Sequence, residues 1–288
     1  MADILITGAN GQLGNEIRKI SEKYYGYDFV FTDIDTLNLT NKTQVNDFIL
    51  KTSPDWIINC AAYNFVDKAE SETEKAFLVN AESVKNIAES VKGTDCKFIH
   101  ISSDYVFDGK SNLPYTEDSP VNPLSVYGKS KLTGEEFALS HNRTMIIRTS
   151  WLYSSFGHNF VRTILKKSRE TDSLRVVFDQ TGTPTYAADL AEAIIEIVSG
   201  VIRNKIAFHA GIYHYSNEGV CTWYDLAEAV ISEVGSECQV FPVLSEEYPV
   251  AAQRPAYSVL NKSKIKETYN IDIPHWRKSL AECMKLLK

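Results

Sequence analysis

Tyr127 and Lys131 stand four residues apart in the run Ser125-Val126-Tyr127-Gly128-Lys129-Ser130-Lys131. On a helix, residues i and i+4 share a face, so this spacing sets a phenol beside an ammonium. A free tyrosine titrates at about 10 and is a sluggish acid or base at neutral pH. A cation beside it stabilises the phenolate and lowers that value. The pair therefore suits the proton transfer that accompanies a hydroxyl–carbonyl interconversion. Tyr-x-x-x-Lys also recurs by chance, as an aromatic ring stacked on a lysine stem. Two motifs upstream give it weight here.

The first is Gly8-Ala9-Asn10-Gly11-Gln12-Leu13-Gly14, which directly follows the apolar run Asp3-Ile4-Leu5-Ile6-Thr7. Glycines between a first strand and a first helix permit a tight turn and let the backbone approach a pyrophosphate. The helix start adds free N–H groups and the positive end of its dipole. Asp33 lies about 20 residues further on, after Phe29-Val30-Phe31. A carboxylate there accepts hydrogen bonds from the adenosine ribose and repels a 2′-phosphate. With no arginine within several residues of it, NADH is favoured over NADPH. Asn38 and Leu39 are candidates to flank the adenine. Ala61 and Ala62, in Asn59-Cys60-Ala61-Ala62-Tyr63, are small enough to let a dinucleotide pass close to the backbone. The second motif is Ser103, closing Lys97-Phe98-Ile99-His100-Ile101-Ser102. Its hydroxyl can hydrogen-bond a substrate carbonyl oxygen while Tyr127 supplies the proton.

These groups need a scaffold that brings them to one edge. Short apolar runs alternate with amphipathic stretches over the first half of the chain. Strands are predicted at 3–7, 29–31, 56–60, 97–101 and 144–148. Helices are predicted at 13–24, 41–51 (capped by Thr40 or Asn41), 72–92 and 127–139. Such alternation implies an α/β fold, a doubly wound parallel sheet covered on both faces, and ligands of such sheets bind at the carboxyl edge. Residues 107–123, rich in Gly, Pro, Asn, Ser and Asp, read as an irregular loop. Residues 1–150 are assigned to a Rossmann dinucleotide-binding domain. Residues 151–288 form a smaller, mainly substrate-binding C-terminal portion with helices at 159–170, 188–199, 222–234 and 279–287. The two interleave, because Val176-Val177-Phe178 and Ile212-Tyr213-His214-Tyr215 read as strands that extend the sheet.

At 288 residues the chain can bury a substantial core. A formal charge of −7 argues against general affinity for nucleic acid or an anionic membrane. No apolar run approaches membrane-spanning length, and no secretory leader is read at the N-terminus. The five cysteines are scattered, odd in number and without a Cys-x-x-Cys pair, so reduced thiols in a cytoplasmic protein are expected, with no metal site. His100, inside an apolar strand, reads as a core histidine. His158, in a polar loop, is open to either reading, a residue that approaches substrate or one explained by loop polarity, and the Trp223-Tyr224 and His275-Trp276 pairs are read as packing at helix starts. The stretch 72–92 is a candidate subunit interface of a homodimer.

The glycine triplet, Ser103, Tyr127 and Lys131 together resemble the extended short-chain dehydrogenase/reductase superfamily. Longer strings resemble, within it, the dTDP-4-dehydrorhamnose reductase family. These begin with Ala61-Ala62-Tyr63-Asn64-Phe65-Val66-Asp67-Lys68-Ala69-Glu70 and Ser103-Asp104-Tyr105-Val106-Phe107-Asp108-Gly109. They continue with Arg148-Thr149-Ser150-Trp151, Asp179-Gln180-Thr181-Gly182-Thr183-Pro184-Thr185 and Arg254-Pro255-Ala256-Tyr257-Ser258-Val259-Leu260-Asn261. The resemblance implies reduction of the C4 keto group of dTDP-4-dehydro-L-rhamnose by NAD(P)H, in the synthesis of a nucleotide sugar for cell-surface polysaccharide. It implies that Gly11, Gln12 and Leu13 meet the pyrophosphate and that Ala61, Ala62 and Asn64 line the cofactor channel. Ser103 and Asp104 would contact the sugar, Trp151 would pack on it, and Arg254 would bind the diphosphate. The chain has Ser103 where the family often has threonine, Tyr63-Asn64 where it often has His-Thr, and Asn38 where an acidic residue is often seen.

Three alternatives share the fold. Another nucleotide-sugar 4-keto reductase, making a different deoxysugar, shares every motif named. A nucleotide-sugar epimerase or 4,6-dehydratase regenerates its cofactor, and a dehydratase calls for an Asp-Glu pair where this chain has Asp104-Tyr105. A non-catalytic regulatory subunit of methionine adenosyltransferase type needs no intact Ser-Tyr-Lys set, which this chain keeps.

Overall fold

The computed structural model describes residues 2–287. Its centre is a six-stranded sheet of β1 (Ala2–Thr7), β2 (Tyr27–Thr32), β3 (Trp56–Asn59), β4 (Lys97–Ser103), β5 (Thr144–Thr149) and β6 (Gly211–His214). The spatial order is β6-β5-β4-β3-β1-β2, with every neighbouring pair parallel. The chain leaves β1 for β2 on one side and returns to β3 on the other. The carboxyl ends of β1 and β3 therefore flank the topological switch point where such sheets bind ligands. β3 and β5 are buried along their whole length, as expected of parallel strands covered on both faces. One core cluster joins Ile4, Ile6, Ile58, Ile99 and Ile147 to the helix Ala187–Ile202, and a second packs the opposite face around Leu5, Ile57, Phe98 and Ile146.

The helices form where expected, with their ends shifted by a few residues. Gln12–Ser21 replaces 13–24, Phe160–Lys167 replaces 159–170, and Trp276–Lys285 replaces 279–287. Asn41 is the cap of Lys42–Thr52, its side chain accepting the Gln44 N–H. Two expectations are corrected. The stretch 72–92 is not one continuous helix: Thr73–Phe77 runs into a π-turn at Leu78–Glu82 before Ser83–Ser90. The cause is the close approach of Gly134, where a Cβ would collide with the Asn80 carbonyl. The extra residue in the turn lets this backbone bulge against the neighbouring helix. The other correction concerns Val176-Val177-Phe178. The strand here is Ser173–Val177, and it pairs in parallel with Gln239–Val243 in a separate two-stranded sheet. Its residues alternate exposed and buried, so it covers a core on one side only, whereas Ile212–His214 does extend the central sheet. The pair covers a third core cluster, built from Val161, Leu165, Leu226, Val230, Trp276 and Leu280 among others.

Candidate active site

β4 ends at Ser103, and a single 3-10 turn, Asp104–Val106, follows. The helix Val126–Ala138 starts above it, capped by Ser125, whose hydroxyl accepts the Gly128 N–H. Helix and turn are pressed together: a Cβ on Gly128 would meet the Tyr105 carbonyl and lie 2.9 Å from Pro123 Cβ. This contact brings Tyr127 close enough to Ser103 for the serine hydroxyl to act on its phenol. The Tyr127 ring also meets Tyr105 edge-on, with centroids 5.4 Å apart. Ser103 accepts the Tyr105 N–H at 3.2 Å and donates to Asp104 Oδ1 at 3.0 Å. Lys131, one turn along and fully buried, donates from Nζ to the Ile101 carbonyl at 2.7 Å.

The electrostatics differ from the expectation for an isolated pair. Burial pushes Tyr127 up to about 12; the neighbouring Ser103 hydroxyl works against this rise and Asp104 adds to it. Desolvation dominates, and Lys131 spends one N–H on the Ile101 carbonyl. Lys131 is itself pulled down to about 8 by burial, against the upward pull of Glu135 and Cys60. Asp104, with Oδ2 unpartnered, is pushed up to about 7 by the same loss of solvent. Tyr127 is thus loaded as a proton donor at physiological pH.

The glycine turn lies at the same carboxyl edge. Gly8 has φ +67, and a Cβ on it would stand 2.5–2.8 Å from the backbone of Cys60 and Ala61. Gly14 approaches the Gly8 carbonyl and Ala9 as closely. Gly11 precedes the helix Gln12–Ser21, whose start has no side-chain cap and no acidic residue in its first turn. Its N–H groups and positive dipole end are left for an anion. The Leu13 side chain is in the core, so its backbone N–H is what it can offer. Asp33 accepts the Asn10 N–H through Oδ2 and the Ile34 N–H through Oδ1, both at 2.8 Å, which fixes it beside the turn with lone pairs to spare. Asn38 turns its side-chain oxygen to Thr40, and Leu39 packs into the core. Ala61 and Ala62 are half-buried and Asn64 is exposed. These features fit a dinucleotide whose pyrophosphate sits on the turn.

On the substrate side, Trp151 has φ +47 and stacks on Trp223, with centroids 3.6 Å apart and planes at 8°. Gly182 leaves room for this stack, since a Cβ there would come within 2.6 Å of the Trp151 ring. Arg254 forms a two-pronged ion pair with Asp67, Nη1 donating to Oδ1 at 3.1 Å and Nη2 to Oδ2 at 2.7 Å. The fork expected for a diphosphate is therefore shared with a carboxylate of the chain itself, and this pair holds Asp67 below the usual carboxylate range.

Three contributors carry no motif of their own in the sequence. Asp67 orients Arg254. Asn80, in the π-turn, donates to the Tyr63 carbonyl and the Ser130 hydroxyl and accepts the Tyr63 N–H, tying the cofactor strand to the catalytic helix. Asn159 donates from Nδ2 to Gln12 Oε1 at 2.8 Å, joining the glycine turn to the C-terminal portion. Glu135 was missed as well, although its spacing, four residues after Lys131, is a readable signal. His100 is a core residue as expected, with Nδ1 accepting from Asn59 and Nε2 unpartnered. Among the described residues no cluster of metal-ligating side chains occurs, and no helix is long and apolar enough to cross a membrane.

The sequence profile of the RmlD substrate binding domain family matches residues 1–288. The chain is 41% identical to the spore coat polysaccharide biosynthesis protein SpsK of Bacillus subtilis, over 99% of this chain and 98% of that one. It is 38% identical to a dTDP-4-dehydrorhamnose reductase of Aggregatibacter actinomycetemcomitans, over 97% of each. A crystal structure of dTDP-4-dehydrorhamnose reductase from Bacillus anthracis in complex with NADP is 36% identical and superimposes with a TM-score of 0.92, over 99% of both chains.

Proposed function

The chain belongs to the RmlD family of NAD(P)H-dependent dTDP-4-dehydrorhamnose reductases, and from that premise we propose that it reduces the C4 keto group of dTDP-4-dehydro-L-rhamnose to give dTDP-L-rhamnose. The observation that carries the reading is the meeting of Ser103, Tyr127 and Lys131 at the end of β4, on the same sheet edge as the glycine turn.

Gly8, Gly11, Gln12, Leu13 and Gly14 hold the pyrophosphate of the dinucleotide. Asp33 takes the adenosine ribose, with Asn38 and Leu39 forming the adenine side, and Ala61, Ala62 and Asn64 line the channel. When bound, the reduced dinucleotide supplies a hydride to the carbonyl carbon. Tyr127, protonated because burial holds it near 12, gives its proton to the carbonyl oxygen as negative charge develops there. An alkoxide is a far stronger base than a phenolate, so the raised value does not prevent the transfer. Lys131 places a positive charge beneath the phenolate that remains, and Ser103 with Asp104 orients the carbonyl oxygen. Fixed donors of this kind stabilise the developing charge without reorganising. Trp151 supplies a flat wall for the sugar, and Arg254 adds charge for the diphosphate.

NADH is the favoured cofactor, because the Asp33 carboxylate beside the ribose opposes a 2′-phosphate. The decisive experiment follows NADH and NADPH oxidation by purified protein with dTDP-4-dehydro-L-rhamnose. Substrate-dependent oxidation that Tyr127→Phe abolishes, with dinucleotide binding intact, is expected. Full turnover by Tyr127→Phe would overturn the mechanism, and faster turnover with NADPH would overturn the cofactor preference.

A further inference from the structure

Behind the reacting pair lies a buried ion pair that the reaction as described does not use. Glu135 follows Lys131 by four residues on the catalytic helix, so Tyr127, Lys131 and Glu135 form a ladder along one face. Glu135 is 2% exposed. Its partner is Arg148 on β5, Nε donating to Oε1 at 2.9 Å and Nη2 to Oε2 at 2.7 Å. Ser102 on β4 stands opposite Arg148 in the β4–β5 register and donates to Glu135 Oε1 at 2.5 Å. One carboxylate thus receives three hydrogen bonds, two of them from a bidentate guanidinium. Arg148 Nη1 finds no partner, and its guanidinium lies 5.1 Å from the centroid of the Phe107 ring.

Stability alone does not account for such a construction. Desolvating two charges is costly, and apolar residues of similar volume often serve a fold as well or better. Its location points to another use. Lys131 is faced by four groups. Glu135 comes from its own helix, Cys60 from the end of β3, and the His100 ring and the Ile101 carbonyl from β4. Cys60 is kept a thiol by burial, which pushes it up to about 12, and His100 is kept neutral because burial lowers it well below the usual imidazole value. Among the described residues acting on Lys131, Glu135 is the one that brings a negative charge.

We propose that Glu135 is a positioning residue for the reduction: clamped by Arg148 and Ser102, it supplies the fixed negative charge that keeps the buried Lys131 an ammonium beside Tyr127. The inference rests on Tyr127 and Lys131 being the reacting pair. A buried lysine is driven toward its neutral form, and a neutral amine gives no electrostatic support to a tyrosine that has surrendered its proton. The carboxylate offsets that drive from the side away from the substrate, where it does not sit against the developing alkoxide. Arg148 in turn keeps the carboxylate turned onto the ladder.

The test is the pH dependence of kcat at saturating NADH and nucleotide sugar, in Glu135→Gln and in the double variant Glu135→Leu with Arg148→Met. The isosteric single change keeps the shape of the site, and the double change avoids stranding a buried guanidinium. In either folded variant the basic limb is expected to move to lower pH by about one to two units, so that turnover at pH 8 falls about fivefold or more while at least about half of the turnover at pH 6 is retained. NADH affinity is expected to stay within about threefold of the parent, a shift of about 0.7 kcal/mol or less. A purely structural role would lower turnover evenly across pH or raise NADH dissociation without moving the limb, and a profile superimposable on the parent's would overturn the proposal. Lys131→Met, run in parallel, separates the two levels. Loss of turnover there with an unmoved limb in the Glu135 variants refutes the role of Glu135 alone. Parental turnover there removes Lys131 from the mechanism and the proposal with it.

Discussion

Gly8→Ala probes the close approach between the first turn and the third strand. Two effects act on it. The residue has φ +67, where a side chain costs about 1–2 kcal/mol. Its Cβ would also stand 2.5 Å from Ala61 N and 2.6 Å from Ala61 Cα, and overpacking of this kind costs about 1–3 kcal/mol. The strand end cannot yield, because Cys60 N–H is bonded to the Thr7 carbonyl at 3.0 Å and Ala61 N–H to Asn59 Oδ1 at 3.1 Å. The glycine turn must therefore move, carrying the pyrophosphate donors with it. Gly235 gives an internal control, since it has φ +61 and a methyl added to it would meet nothing within 4 Å. Urea unfolding is expected to show a loss of about 1–2 kcal/mol for Gly235→Ala and about 2–5 kcal/mol for Gly8→Ala. Titration with NADH is expected to show affinity falling about tenfold or more, or about 1.4 kcal/mol, for Gly8→Ala alone. Equal stability losses in the two variants, with unchanged NADH binding in both, would refute the steric reasoning.

Gly182→Ala drives a methyl into the Trp151 ring and is expected to raise KM for the nucleotide sugar while leaving NADH affinity unchanged; steady-state kinetics with each substrate varied in turn checks the split. Asp67→Asn removes the charge that shares the Arg254 fork and is expected to change the salt dependence and KM for the nucleotide sugar, with kcat changing less; identical kinetics would show that Arg254 does not serve the diphosphate. Burial raises Asp104 to about 7, so the folded state holds its proton more tightly than the unfolded chain. Asp104 therefore contributes stability that is full below about pH 4 and is lost as pH rises toward 7. Unfolding across that range should show the parent losing stability relative to Asp104→Asn, and a difference independent of pH would contradict the assignment. Arg148→Met alone leaves the Glu135 carboxylate buried without its partner and is expected to cost about 3–5 kcal/mol, read as a lowered urea midpoint.

Much of the site was legible because its signals are local. The glycine turn is a backbone requirement written in residue type: Gly8 is needed where φ is positive and a neighbouring backbone lies within contact. The Tyr127–Lys131 spacing is a helical period, and strand runs such as Ile57-Ile58 and Ile146-Ile147 are apolar because both sheet faces are covered. Order along the chain was enough to put Ser103 and the glycines on one edge, since parallel strands all end there. What the sequence could not carry were pairings between distant segments. Nothing local marks Asp67 as the partner of Arg254 or Asn159 as that of Gln12. Val176 belongs to its own small sheet because Gln239–Val243, more than sixty residues away, folds against it.

The sequence by itself determined the α/β alternation, the dinucleotide turn and the chemical types of the reacting groups, because each depends on backbone geometry or helical period within a few residues. The tertiary structure alone decided how those groups are charged. Spacing suggested that Lys131 lowers the Tyr127 pKa, yet burial of both drives Tyr127 up and Lys131 down. Desolvation depends on everything packed around a side chain, and no short stretch of sequence records it.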